Sequence, residues 1–242
     1  MKKNLIYLIC LMLLALAVIY GVSQTNSSPP TNEEVKKEAT PAAYINKDIP
    51  TAIYLQGKPE PVLRIEDLPK EFPPHIQHPE GARFPDTQFD SVSLSPDGQR
   101  IAFSCGLVHT WLGLFELTSR KLDVITWLFD TSIDQILWSP NSKYFTYTYW
   151  APRGEYDVVI VGLREKTAEP YITNDWSSDI DNPVMISGLR WSNDGESVQF
   201  ETQKYEIKEL KRVKMENEPV NTVILKVNKE EAVKKTPKKV KK

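Results

Sequence analysis

The sequence is poor in the residues that most often carry chemistry or covalent staples. Two cysteines in 242 residues exclude a disulfide scaffold. Three histidines leave little room for histidine-rich metal chemistry. There is no Gly-x-Ser-x-Gly nucleophile motif and no glycine-rich phosphate loop. With 40% hydrophobic and 26% charged residues, a multi-span membrane protein is excluded too. On these absences the expectation is a protein without enzymatic activity, metal or cofactor.

What is present is unevenly spread. The formal charge of -2 hides a basic start and a basic end. Residues 1–23 hold Lys2 and Lys3 and no acid, and residues 226–242 hold eight lysines against Glu230 and Glu231. Taking those blocks of +2 and +6 from the total leaves -10 on residues 24–225.

Leu5 to Val22 is an apolar run of 18 residues behind that basic start, on the border between a signal segment and a spanning helix. Gly21 and Ser23 are small enough to mark a cleavage site after Ser23; uncleaved, the segment is an anchor. The next basic residues are Lys36 and Lys37, so the remainder is expected outside the cytoplasm, facing the periplasm or the exterior. Cys10 lies inside the apolar run behind Leu8 and Ile9, a poor lipidation context. Cys105 is then the exported part's only cysteine, and no disulfide can hold the fold.

Eleven of the 18 prolines fall between residues 29 and 85, which argues against sheet interior there, because proline lacks the N–H a central strand donates. Residues 24–83 read as a proline-rich tether, with two short pieces, Ala52–Leu55 and Val62–Ile65, able to close a hairpin or serve as edge strands.

From residue 84 a unit repeats three times. Its centre is a turn: Ser95-Pro96-Asp97-Gly98, then Ser139-Pro140-Asn141-Ser142, then Ser192-Asn193-Asp194-Gly195. The turn serines are 44 and 53 residues apart, close to the roughly 40–50 residues of a propeller blade. Apolar residues alternate before each turn (Val92 and Leu94, Ile136 and Trp138, Leu189 and Trp191) and after it (Ile101 and Phe103, Phe145 and Tyr147, Val198 and Phe200). Period two means strands. Proline presets φ for a type I turn, the Ser and Asp side chains bond nearby amides, and glycine accepts the left-handed position that closes the hairpin. Ser142 replaces that glycine, so the second turn is expected to be strained or differently built. A second strand pair follows the first two hairpins; the third unit stops after residues 221–227 and lacks its fourth strand.

This pattern resembles the WD-like propeller repeat of the TolB family, also found in prolyl-oligopeptidase-type peptidases. The resemblance spans about residues 86–228 and implies a small or partial all-β propeller with blades near 86–129, 130–173 and 184–228. It also implies a periplasmic or surface protein that binds other proteins. The missing strand can be repaired by the chain's own N-terminal segment, the favoured expectation, or by a second copy in a homodimer.

In such a meander the long connections share one rim. Trp150, Arg153, Asp175 and Trp176 are expected to cluster there as binding residues, with blade-end packing as the competing role for both tryptophans. Within 203–219, Ile207, Leu210 and Val213 recur every three residues, which predicts a short amphipathic helix, with an extended hairpin as the rival. His75, His78, Glu80 and His109 match no defined metal pattern, and the acids at 175, 179 and 181 do not match a calcium loop. Residues 229–242 are a lysine-rich tail suited to anionic polymer or lipid more than to nucleic acid. The expected function is an envelope module for binding another protein, with carbohydrate or peptide sensing, or a plain spacer role, as alternatives.

Overall fold

The computed structural model describes residues 42–78, 87–106, 109–150, 156–164, 169–179, 181, 183–208 and 211–228. The expected signal or anchor, most of the tether and the lysine-rich tail lie outside the described residues. Among the described residues no helix is long and apolar enough to cross a membrane.

The fold is all-β, in four antiparallel sheets. Strands β1 (Ala43–Asn46), β2 (Ile49–Leu55) and β3 (Leu63–Arg64) form the first, in that order. Blade 1 is the meander β4 (Phe89–Leu94), β5 (Arg100–Cys105), β6 (Thr110–Glu116) and β7 (Leu122–Leu128). Blade 2 repeats it with β8 (Ser132–Trp138), β9 (Tyr144–Trp150), β10 (Tyr156–Leu163) and β11 (Pro170–Ser177). Blade 3 holds β12 (Val184–Trp191), β13 (Ser197–Lys208), β14 (Lys211–Lys214) and β15 (Asn221–Lys226). There β14 and β15 both pair with β13, at its far and near ends, so blade 3 is three strands wide.

Alternation explains the stacking. Along β5, Ile101, Phe103 and Cys105 face the first sheet, where they pack with Ile53, Leu55, Leu63 and Leu68, while Ala102 faces blade 2. Along β10, Val159 and Val161 face blade 1, whereas Val158 and Ile160 face Val198, Phe200 and Leu225 of blade 3. A strand buried on both faces reads as a nearly continuous apolar run, as these do. Blade 3 ends the stack differently. Val198, Phe200, Val223 and Leu225 form its inner face. The register puts Gln199 between Arg190 and Ile224, and Glu201 between Ser187 and Thr222, on the other face. Directly paired residues share a face, so that face is mostly polar, as in the capping unit of a repeat array.

The three turns share one construction. In blade 1 the Ser95 hydroxyl donates to Asp97 Oδ1 (2.5 Å) and accepts the Arg100 N–H (2.9 Å), and the Gln99 N–H donates to Asp97 Oδ1 (3.0 Å). Ser139 with Asn141, and Ser192 with Asp194, repeat these bonds. Gly98 and Gly195 have φ of 68° and 70°, and Ser142 has 57°. The second turn is therefore built like the others, with the strain of a non-glycine residue in the left-handed region.

Ser142 gains a partner in exchange. The Asp97 N–H donates to its Oγ (3.0 Å), tying the turn of blade 1 to that of blade 2. Asn141 Nδ2 donates to Asp194 O (3.1 Å), tying blade 2 to blade 3. Two indoles repeat the tie one step inward: Trp138 Nε1 donates to Ser93 O (3.0 Å) and Trp191 Nε1 to Leu137 O (2.9 Å).

The structure corrects three expectations. The N-terminal segment does not complete blade 3. The expected hairpin pairs Ala52 with Arg64 and Ile53 with Leu63, gains β1, and covers the apolar face of blade 1 instead. That face buries Phe89, Phe103 and Trp111 and needs a partner more than the polar face of blade 3 does. Residues 203–208 and 211–214 are strand, not helix: β13 runs on and pairs with β14, Tyr205 with Lys214 and Glu206 with Val213. The segment leaves an existing ladder, is rich in strand-forming Tyr, Ile and Val, and is clamped at its base. Gln203 Nε2 donates to Met215 O and Glu218 O (3.2 and 3.3 Å), and Lys204 pairs with Glu218 (3.6 Å). Finally, Asn174 to Ser177 continue β11 and are not loop.

The second turn yields a test. Replacing Ser142 by Ala keeps the left-handed strain and strands the Asp97 N–H; Gly loses the same bond and relieves the strain. Chemical denaturation is expected to show Ser142→Ala less stable than Ser142→Gly by about 1–2 kcal/mol. Equal stabilities would show that the left-handed φ carries no strain.

Candidate functional site

The rim opposite the turns carries the long connections. Its blade 1 section begins with His109, just before β6, and ends with Phe129 and Asp130, just after β7. The Asp130 N–H donates to His109 Nδ1 (3.1 Å), and Asp130 has a φ of 50°. That bond requires Nδ1 to be unprotonated, so the neutral ring carries its proton on Nε2. The His109 ring lies against Phe129, with centroids 4.6 Å apart and planes 18° from parallel. Phe129 is 59% exposed.

The stack continues from His109 to an exposed far end at His78. His109 contacts Trp127 (5.7 Å), Trp127 meets Phe72 edge to face (5.7 Å), and Phe72 lies on His78 (4.2 Å). Five rings, His78, Phe72, Trp127, His109 and Phe129, thus form one continuous ladder. Aromatic pairs of this geometry contribute about 0.5–1.5 kcal/mol each beyond their area. His75 fastens the segment to β7, because its Nε2 donates to Val124 O (2.9 Å). All three histidines therefore gather on one side of blade 1, as ring partners and a backbone donor. Among the described residues no three His, Cys, Asp or Glu side chains come together to hold a metal.

Beside the ladder runs a groove of about 440 Å³ between β7 and β11. Its lining includes His75, Asp123, Ile125, Arg164, Glu169 and Tyr171. The Arg164 guanidinium lies over the Tyr171 ring at 5.2 Å. Charged walls of both signs over an apolar floor suit an extended chain better than a compact charged ligand.

The residues singled out in the sequence do not form one site. Trp176 sits in β11 with its ring edge-on to Phe200 (5.1 Å), in the layer between blades 2 and 3. Asp175, its neighbour in the strand, points to the other face, opposite Val159 and on the same side as Tyr147. Trp150 ends β9 and its carbonyl accepts the Thr131 hydroxyl, while the Thr110 hydroxyl donates to Thr131 O (2.8 Å). Those two bonds join the rims of blades 1 and 2. Arg153 lies outside the described residues. The ladder escaped notice because its members come from three separated segments. The one local signal was Trp127 and Phe129, two residues apart at a strand end.

A second polar group sits between blades 1 and 2. Tyr147 and Tyr149 share a face with Asp157 and Asp175. Burial first, and then the charge of Asp157, hold both phenols above the ordinary tyrosine range, and Tyr149 also donates a hydrogen bond to Asp157.

No family model matches the chain, and no curated protein matches it in sequence. Several solved structures are similar to it. A candidate 6-phosphogluconolactonase from Bacteroides uniformis is 12% identical, over 81% of this chain and 61% of that one, with a TM-score of 0.38. The Pyrococcus horikoshii acylaminoacyl peptidase is 10% identical, over 60% of this chain and 24% of that one, with a TM-score of 0.40. The periplasmic gluconolactonase of Pseudomonas aeruginosa is 10% identical, over 58% and 43%, with a TM-score of 0.34. The chain spans less than two thirds of each. Likenesses this distant say nothing of substrate, and the blades are assigned from the strand order and packing above. They do correct one expectation. The absence of a known motif pointed away from enzymes, yet proteins named as a lactonase and a peptidase are among these structures. That exclusion is withdrawn.

The two tyrosines give a pH test. A folded pKa above the unfolded one stabilises the fold below pH about 10 and is lost above it, because the unfolded chain then releases protons the folded chain keeps. Alkaline titration followed by tyrosine absorbance is expected to show two fewer phenols ionising in the native protein than in denaturant. Tyr149→Phe is expected to reduce the deficit to one; an unchanged deficit would remove Tyr149 from the buried pair.

Proposed function

We propose that the chain is a TolB-like blade module of the cell envelope, exported or membrane-anchored through residues 5–22, which binds another envelope protein along the rim and groove of blade 1. The observation that carries this reading is the ring ladder ending at exposed Phe129. A row of stacked rings, half-buried at Phe72, Trp127 and His109 and exposed at both ends, His78 and Phe129, is the build of a binding hot spot, since its contact area costs little side-chain entropy. The adjoining groove would take an extended segment of the partner. The eight lysines of 226–242 would add weak, salt-sensitive adhesion to anionic lipid or polymer.

A second reading has its own support. The parallel Phe129–His109 pair offers a flat apolar face that a sugar ring could cover, which suits carbohydrate sensing.

The test places a photo-crosslinking amino acid at position 129 in the living cell, with exposed Asn193 in the turn of blade 3 as control. One partner protein captured from 129 and not from 193, and lost when Trp127 is replaced by Ala, is the expected result. Capture of glycan alone selects the second reading, and identical products from both positions would overturn a specific site on this rim.

A further inference from the structure

We infer that the free edge of β15 pairs with the same edge of a second copy, joining two third blades into one continuous sheet. Blades 1 and 2 each have four full-length strands, and the edge of blade 3 where the fourth would lie is formed by β15.

The backbone parity of that edge is fixed by two bonds. The Val227 N–H donates to Glu196 O (2.9 Å) on the β13 side, while Lys226 O accepts from Asn174 Nδ2 (2.8 Å) on the opposite side. A residue's N–H and C=O point to one side of the strand, and successive residues alternate. Val223 and Leu225 therefore bond to β13, and Thr222 and Ile224 aim their N–H and C=O outward. Continuing the strand one step back adds Val220.

These three outward residues are all β-branched, and all three are exposed, with Ile224 at 61%. From Val220 to Leu225 there is no charge and no proline. Natural edges are normally blunted by such residues, and this one is not.

The chain's own flanks are poor candidates for the missing strand. Residues 229–242 carry seven lysines and a proline, and residues 24–41 carry three prolines and little that is apolar. A second copy fits well, because the pattern is self-complementary. With a two-fold axis at Thr222, antiparallel pairing sets Thr222 against Thr222 of the other copy and Val220 against its Ile224, twice over. The same register brings Glu218 toward Lys226 of the other copy, so opposite charges meet at both ends. Matched β-branched and threonine pairs are favourable cross-strand neighbours, and such a closed two-fold contact leaves no edge for further growth.

The full chain, purified in mild detergent, would be examined by light scattering and by disulfide trapping. A dimer is expected, weakened at least about tenfold by Ile224→Lys, which puts a charge against Val220 at a site too exposed to disturb the fold. Thr222→Cys is expected to form an interchain disulfide on mild oxidation, since paired Cα atoms lie within bridging distance. Asn221→Cys, whose backbone faces β13, is expected not to. A monomer at all concentrations, a dimer indifferent to Ile224→Lys, or equal trapping at 221 and 222 would each overturn the proposal.

Discussion

The fold depends on one hydroxyl per blade. Ser95, Ser139 and Ser192 each donate to the carboxylate or amide two residues on and accept the backbone N–H five residues on. Ser95 and Ser139 are fully buried while doing so. A buried hydroxyl with both functions met is stabilising, and the same group left unmet would cost about 1–3 kcal/mol. The geometry it enforces sets the first two strands of each blade in register. It also puts the third and fourth turn residues where the next blade can reach them. Asp97 then finds Ser142, and Asn141 finds Asp194. Local turn chemistry and blade stacking are thus one network. Ser142 shows the trade within it: an unfavourable φ is held in place by a bond that the hydroxyl at that position accepts.

This network divides the molecule into two rims with different duties. The turn rim is short, bonded from blade to blade and uniform. The opposite rim is irregular; there, among the described residues, Thr110, Thr131 and Trp150 tie blade 1 to blade 2. Variation is tolerated where the stack does not depend on it, and there the rings of Trp127, His109 and Phe129 emerge. A binding surface on a rigid scaffold needs this arrangement: one edge that cannot move and one edge whose residues are free to differ.

Much of this was legible in the residues. Alternation around three Ser-centred turns marks the blades, because each strand must bury alternate side chains against a neighbour. The hairpin at 52–65 was legible for the same reason, although its destination was not. Choosing between the two ends of the stack requires knowing which blade face is polar, and Gln199, Glu201 and Arg190 come onto one face only once the register is known. The spacing of Ile207, Leu210 and Val213 suggested a helix because three-residue spacing was judged without the ladder that β13 already carried into it. The ring ladder was least legible. Phe72, His109 and Trp127 lie in three segments that meet only after the first sheet has docked on blade 1, so no window of sequence holds them together.

The two ends of the stack are therefore closed by different means, and that difference determines what can associate. At the first end the apolar face of blade 1 is covered by the chain's own sheet. At the other end the face is polar and needs no cover. What blade 3 retains is an edge. An edge offers backbone hydrogen bonds more than apolar area, and its selectivity comes from register and side-chain pairing. Ile224 is the most exposed large apolar side chain among the described residues; its backbone belongs to that edge and its side chain to the outer face of blade 3. Association there would add strands to a sheet without adding a layer, which leaves the ring ladder of blade 1, two layers away, free to engage its own partner.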